Sequence, residues 1–69
     1  MTSDETEKVV KILLGVDGGC SLCARYAVTD FCLAFPEHVE QAMELFRKKF
    51  GATEAEYLAE NLAESKAGE

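Results

Sequence analysis

Residues 20–35, CSLCARYAVTDFCLAF, are apolar over most of a helical circumference, and the chain's single proline follows them directly. In a chain of 69 residues that stretch limits the options severely. A helix apolar on so many sides lies at the centre of its domain or meets a second molecule. At about 100° per residue, Cys20, Cys23, Ala24, Ala27, Phe31, Ala34 and Phe35 share one side. Ser21, Arg25 and Thr29 mark the side expected to face water, while Leu22, Tyr26 and Leu33 form a second apolar stripe beside the first. Pro36 closes the helix, because the residue before a proline is pushed out of helical geometry and proline suits the first turn of a new helix.

Three further segments surround it. SDETEKVVKILLG opens with Ser3 or Asp4 as N-cap, carries Glu5 and Glu7 at the positive end of the helix dipole, and sets Val9, Leu13 and Val16 on one stripe with Val10 and Leu14 beside it. Gly15 is the expected stop, taking the left-handed conformation that glycine adopts without strain. The competing reading makes residues 9–16 a buried strand, with Val10, Ile12, Leu14 and Val16 on one face. The acidic start, the leucines and the glycine favour the helix. The third segment runs from Pro36 to Phe50 with a stripe of Val39, Ala42, Met43, Phe46 and Phe50, and Gly51 ends it. Thr53 then opens a fourth, capping reciprocally with Glu56, with Ala55, Leu58, Ala59, Leu62 and Ala63 on its apolar face and a frayed tail from about residue 65. The expected fold is all-α: one small domain, residues 1–69, built as a bundle of three to four short antiparallel helices, or one N-terminal strand followed by three helices.

A domain of this size buries only about 60% of the surface its unfolded chain exposes, so it often leans on a metal, a disulfide or a partner. Lys and Arg number 7 against 13 Asp and Glu, a formal net charge of −6. That balance repels nucleic-acid phosphate and anionic membrane surfaces. No apolar run approaches the roughly 18 to 20 residues of a membrane span, and MTSDETEK is acidic where a secretory leader is basic. The expectation is a cytoplasmic protein, in which three cysteines do not make a disulfide framework.

Cys20 and Cys23 are the candidate chemical groups. At the start of a helix, Cys20 stands at or beside the N-cap, where free amides and the dipole favour a thiolate. Cys20 would then be the nucleophilic sulfur and Cys23, one turn on, the resolving one. Against this, both project from the expected apolar side, where burial makes a thiol inert, and Asp17 is a local anion. Cysteine also serves simply as a small hydrophobe.

The run VDGGCSLCARYA, residues 16–27, resembles the opening of the DCC family of thiol–disulfide oxidoreductases. Members begin with a strand, an Asp-Gly-x-Cys-x-x-Cys turn and a helix with a basic residue soon after the second cysteine. The resemblance implies that Asp17, Gly18, Cys20, Cys23 and Arg25 match the motif, with Cys20 and Cys23 as the redox pair. It covers about a dozen residues. The rest of the chain departs from the family, whose thioredoxin-like fold needs further strands and usually a cis-proline facing the dithiol.

Cys20, Cys23, Cys32 and His38 also have the Cys-x2-Cys-x8-Cys-x5-His spacing of a zinc site. On a continuous helix, however, Cys32 lies about 18 Å along the axis from Cys20, against zinc–sulfur bonds of about 2.3 Å. Two chains each giving Cys20 and Cys23 would satisfy the geometry. Cys32 and His38 are expected to be partly exposed surface. The outline of a helix-turn-helix in residues 50–62 fails on Glu54, Glu56, Glu60 and Glu64, which would face phosphate. GVDGG lacks the Lys and Ser/Thr of a phosphate loop.

The expected function is non-catalytic: a protein–protein interaction or self-association module working through Leu22, Tyr26 and Leu33, with a protein partner or a second copy and no cofactor. The alternative is a dithiol redox or zinc-binding protein acting through Cys20 and Cys23.

Overall fold

The computed structural model describes residues 1–67, with the backbone alone for residues 17, 66 and 67. Helix α1 spans Ser3–Leu14, α2 Ser21–Ala34, α3 Val39–Phe50 and α4 Ala52–Ala67, with 3₁₀ turns at Val16–Gly19 and Pro36–His38. Residues 9–14 belong to α1, so the strand alternative is not what the chain forms. The all-α bundle stands.

Local chemistry accounts for each boundary. Thr2 caps α1 in place of Ser3 or Asp4: its Oγ1 accepts the Glu5 amide at 3.2 Å, and the Glu5 carboxylate accepts the Thr2 amide at 2.9 Å. Ser3 has Thr6 at the corresponding position, too short to reach back, so the reciprocal cap belongs to the Thr2–Glu5 pair. Gly15 does end α1, but with φ −96° it is not left-handed. The chain instead continues into the 3₁₀ turn and reverses at Gly18 and Gly19, whose φ values of +72° and +86° an L side chain would resist. Pro36 opens the 3₁₀ turn and α3 proper starts at Val39. Gly51 ends α3, and its carbonyl accepts the Ala55 amide at 3.1 Å, so α4 begins at Ala52 and Thr53 lies inside its first turn instead of capping it. The helix carries on through Ala67 where fraying was expected, and residues 68 and 69 lie outside the described residues.

The core is Val10 and Leu14 of α1; Ala24, Val28, Phe31 and Cys32 of α2; Ala42 and Phe46 of α3; and Ala55, Leu58 and Leu62 of α4. Full burial of side chains such as Phe46, Leu58, Val10 and Val28 contributes about 1.5–3 kcal/mol each. In α1 the buried row is Thr6, Val10 and Leu14, with Val9 and Leu13 flanking it, one position round from the stripe expected. On α4, Ala59 and Ala63 face outward.

The largest revision concerns α2. Its buried arc holds Ala24, Val28, Thr29, Phe31 and Cys32, so the helix is turned by roughly a quarter of its circumference from the expected orientation. Thr29 goes inside because its hydroxyl donates to the Arg25 carbonyl at 2.7 Å, which leaves no polar atom needing water. Cys32, expected at the surface, is fully buried. Ala34 and Phe35, expected inside, are exposed.

α1 packs on α2 and α3, and α4 packs on the same two, which gives the cyclic order α1, α2, α4, α3. α2 touches every other element, as a helix apolar on so many sides should. Near the start of α3, Gln41 donates to the Ser3 carbonyl at the start of α1 (2.8 Å), and near its end Lys49 donates to the Leu14 carbonyl (3.2 Å). α1 and α3 therefore run in the same direction. So do α2 and α4, since Arg25 meets Glu54 while Tyr26, Thr29 and Asp30 face Asn61, Glu64 and Ser65 further along. The all-antiparallel expectation is thus corrected. The chain crosses the bundle at Phe35 and Pro36 and sets α3 beside α1. The radius of gyration, 11.0 Å, is that of a close-packed chain of this length (about 2.2·N^0.38 Å).

Candidate functional site

Two features carry functional chemistry, and both belong to α2. The first is its N-terminus. Cys20 is the N-cap residue in extended backbone geometry (φ −60°, ψ 122°), and its Sγ accepts the Cys23 amide at 3.4 Å. Sulfur here does the work that a serine or aspartate oxygen usually does, satisfying one of the amides a helix start leaves over. The left-handed Gly18 and Gly19 deliver the chain to that cap. Both cysteines are half-buried. The structure brings Cys20 and Cys23 together and leaves Cys32 in the core. His38 sits in the 3₁₀ turn with its side chain mostly covered, 3.8 Å from a Glu37 carboxylate oxygen. Among the described residues, no group of three or more His, Cys, Asp or Glu side chains stands close enough to hold a metal ion.

The second feature is the outward side of α2. Leu22 is 46% exposed, Tyr26 58% and Leu33 36%, while Phe35 at the end of the helix is 39% exposed and packs against Phe31 with ring centroids 5.1 Å apart. Arg25 joins this side to α4. Its guanidinium lies over the Tyr57 ring at 5.3 Å and near the Tyr26 ring at 5.9 Å, and reaches a Glu54 carboxylate oxygen at 3.9 Å. That guanidinium is largely covered, not solvated as its place on the expected wet side implied. Tyr57, itself 45% exposed, thereby becomes part of the same surface as Tyr26.

Below the Arg25 contact the two helices part. A notch of about 280 Å³ opens there, lined by Tyr26, Thr29 and Asp30 of α2 and by Asn61, Glu64 and Ser65 of α4. The buried Asn61 Nδ2 has no hydrogen-bond partner among the described residues. Sequence reasoning missed this notch, although a signal exists. Residues 26, 29 and 30 repeat the spacing of 61, 64 and 65, which makes one polar patch on each helix. The patches face one another only because α2 and α4 are parallel neighbours.

Among the described residues, no helix is long and apolar enough to cross a membrane. Family models, curated proteins and solved structures provide no match to this chain. The class that fold and surface define is a small acidic four-helix bundle with an exposed apolar face.

Proposed function

We propose that this chain is a non-catalytic interaction module whose working surface is the outward side of α2. The observation that carries the reading is the alignment of Leu22, Tyr26 and Leu33, all exposed on one side of one helix. Scattered single hydrophobes are ordinary on a protein surface, whereas a contiguous apolar patch with a polar rim marks a contact site. Tyrosine and arginine also dominate the energetics of such contacts, and Arg25 lies within reach of both the Tyr26 and Tyr57 rings. The test compares Leu22→Ser/Tyr26→Ser/Leu33→Ser with Cys20→Ser/Cys23→Ser in affinity capture, alongside native mass spectrometry for self-association. The expected result is loss of the captured protein, or of the dimer, in the first variant and its retention in the second, with both variants helical by circular dichroism. Retention in the first variant, or loss in the second, overturns the reading.

A second reading is favoured by the sulfur cap. A thiol held against free helix amides, with a second thiol one turn on, suits thiol–disulfide exchange. In that reaction Cys20 attacks a substrate disulfide and one substrate thiolate leaves. Cys23 then displaces the other, leaving a Cys20–Cys23 disulfide and a reduced substrate. The same pair from two chains would offer four thiolates to zinc. Thiol titration by iodoacetamide mass labelling decides the redox case: Cys20 should alkylate well below the pH at which a model thiol does. Alkylation at the ordinary pH removes this reading.

A further inference from the structure

The surface proposed above has an electrostatic character that limits what can lie on it. Tyr26 belongs both to the apolar side of α2 and to the wall of the notch between α2 and α4. Among the described residues that line the notch, the two acidic side chains are Asp30 and Glu64, and none is basic. The whole chain carries a net charge of −6. At about 280 Å³ the notch lies at the lower edge of the roughly 300–1,000 Å³ range of small-molecule sites, and so suits a single long side chain better than a cofactor.

We infer that the partner is a cationic amphipathic helix. Its apolar stripe lies along Leu22, Tyr26 and Leu33, and a Lys or Arg at the edge of that stripe enters the notch between Asp30 and Glu64. This rests on the interaction-module reading and specifies its partner. A second copy fits less well. Two α2 faces brought together would juxtapose Asp30 and Glu64 with another chain of net charge −6, and like charges across an interface cost several kcal/mol. A helix bearing the opposite charge converts the same groups into attraction. Long basic side chains also bring an apolar stem, which the ring of Tyr26 can cover while the head reaches the carboxylates.

The experiment uses the whole chain, ¹⁵N-labelled, and a synthetic helical peptide of about 15 residues with leucine on one side and lysine on the other. Its counterpart carries glutamate in place of lysine. The lysine peptide should shift the amide resonances of Leu22, Tyr26, Asp30, Leu33, Asn61 and Glu64, and the glutamate peptide should not. Asp30→Asn/Glu64→Gln should weaken the lysine peptide about tenfold, as expected for losing two partly exposed charge contacts. Glu7→Gln/Glu40→Gln removes the same charge from α1 and α3 and should weaken it by less than about twofold.

Equal weakening by the two variants, or equal binding of the two peptides, overturns the cationic partner. If Leu22→Ser/Tyr26→Ser still abolishes binding in that case, the module reading survives. If it does not, that reading fails as well. A concentration-dependent dimer that shifts Leu22 and Tyr26 without any peptide overturns the inference in favour of a second copy.

Discussion

Along the α1–α3 seam, α3 reaches across at both ends, Gln41 to the Ser3 carbonyl and Lys49 to the Leu14 carbonyl. Along the α2–α4 seam, also a pair of parallel helices, Arg25 ties the upper part to Tyr57 and Glu54, and the lower part opens into a notch holding Asp30, Glu64 and the Asn61 Nδ2, which has no partner among the described residues. Similar packing thus has two different endings. In the first seam, side-chain donors meet backbone acceptors, and the Lys49 ammonium also stands at the negative end of the α1 dipole. In the second, carboxylates line the gap without an opposite charge among the described lining residues. A seam closed from within contributes stability. A seam left open beside an apolar face leaves Asp30 and Glu64 exposed.

The largest effect should come from undoing the closed seam. Gln41→Leu with Lys49→Met removes two hydrogen bonds of about 1 kcal/mol each, so urea unfolding should show a loss of about 2 kcal/mol, and hydrogen exchange should speed up at both ends of α1. Arg25→Met keeps the apolar stem and removes one partly exposed ion pair and its ring contacts. It should cost about 1 kcal/mol. An Arg25→Met loss greater than that of the double variant would reverse the comparison and make the α2–α4 seam the structural one.

The helices and the glycine and proline breaks between them were legible in the sequence, because caps, dipole charges and apolar spacing all act locally. The facing of each helix was less so. Among the described residues, Thr6 and Thr29 are the buried polar ones, and each donates its hydroxyl to the carbonyl four residues back, Thr6 to Thr2 and Thr29 to Arg25. With that bond made, threonine packs with nearly the shape of valine, so a polar letter misplaces the wet side. On α2 the error spread, since a helix apolar nearly all round offers no strong preference for one orientation. The second stripe of Leu22, Tyr26 and Leu33 was still found, being defined by spacing alone. The notch was not, because it depends on α3 crossing to lie beside α1. Nothing local in the chain records that order.

The smallest effect sharpens the comparison from the α1 side, at the end of the seam where Gln41 meets Ser3. Hydrogen bonds from the Thr2 backbone and side chain hold the Glu5 carboxyl below the usual glutamate range. A carboxyl with a depressed folded-state pKa stabilises most above its unfolded pKa, and the contribution fades as pH falls through the folded value. The capping box should therefore be fully formed at neutral pH and lost in the acidic range below that of an ordinary glutamate. Glu5→Gln keeps an acceptor for the Thr2 amide but does not titrate. Thermal melts of the two proteins should differ in slope against pH only in that acidic window, by a small amount, since Glu5 is at the surface. If the carboxyl contributes through the cap, the wild type loses more stability than Glu5→Gln on acidification. Parallel pH profiles would mean that Gln41 and the packed row of Thr6, Val10 and Leu14 hold the start of α1 without help from the cap.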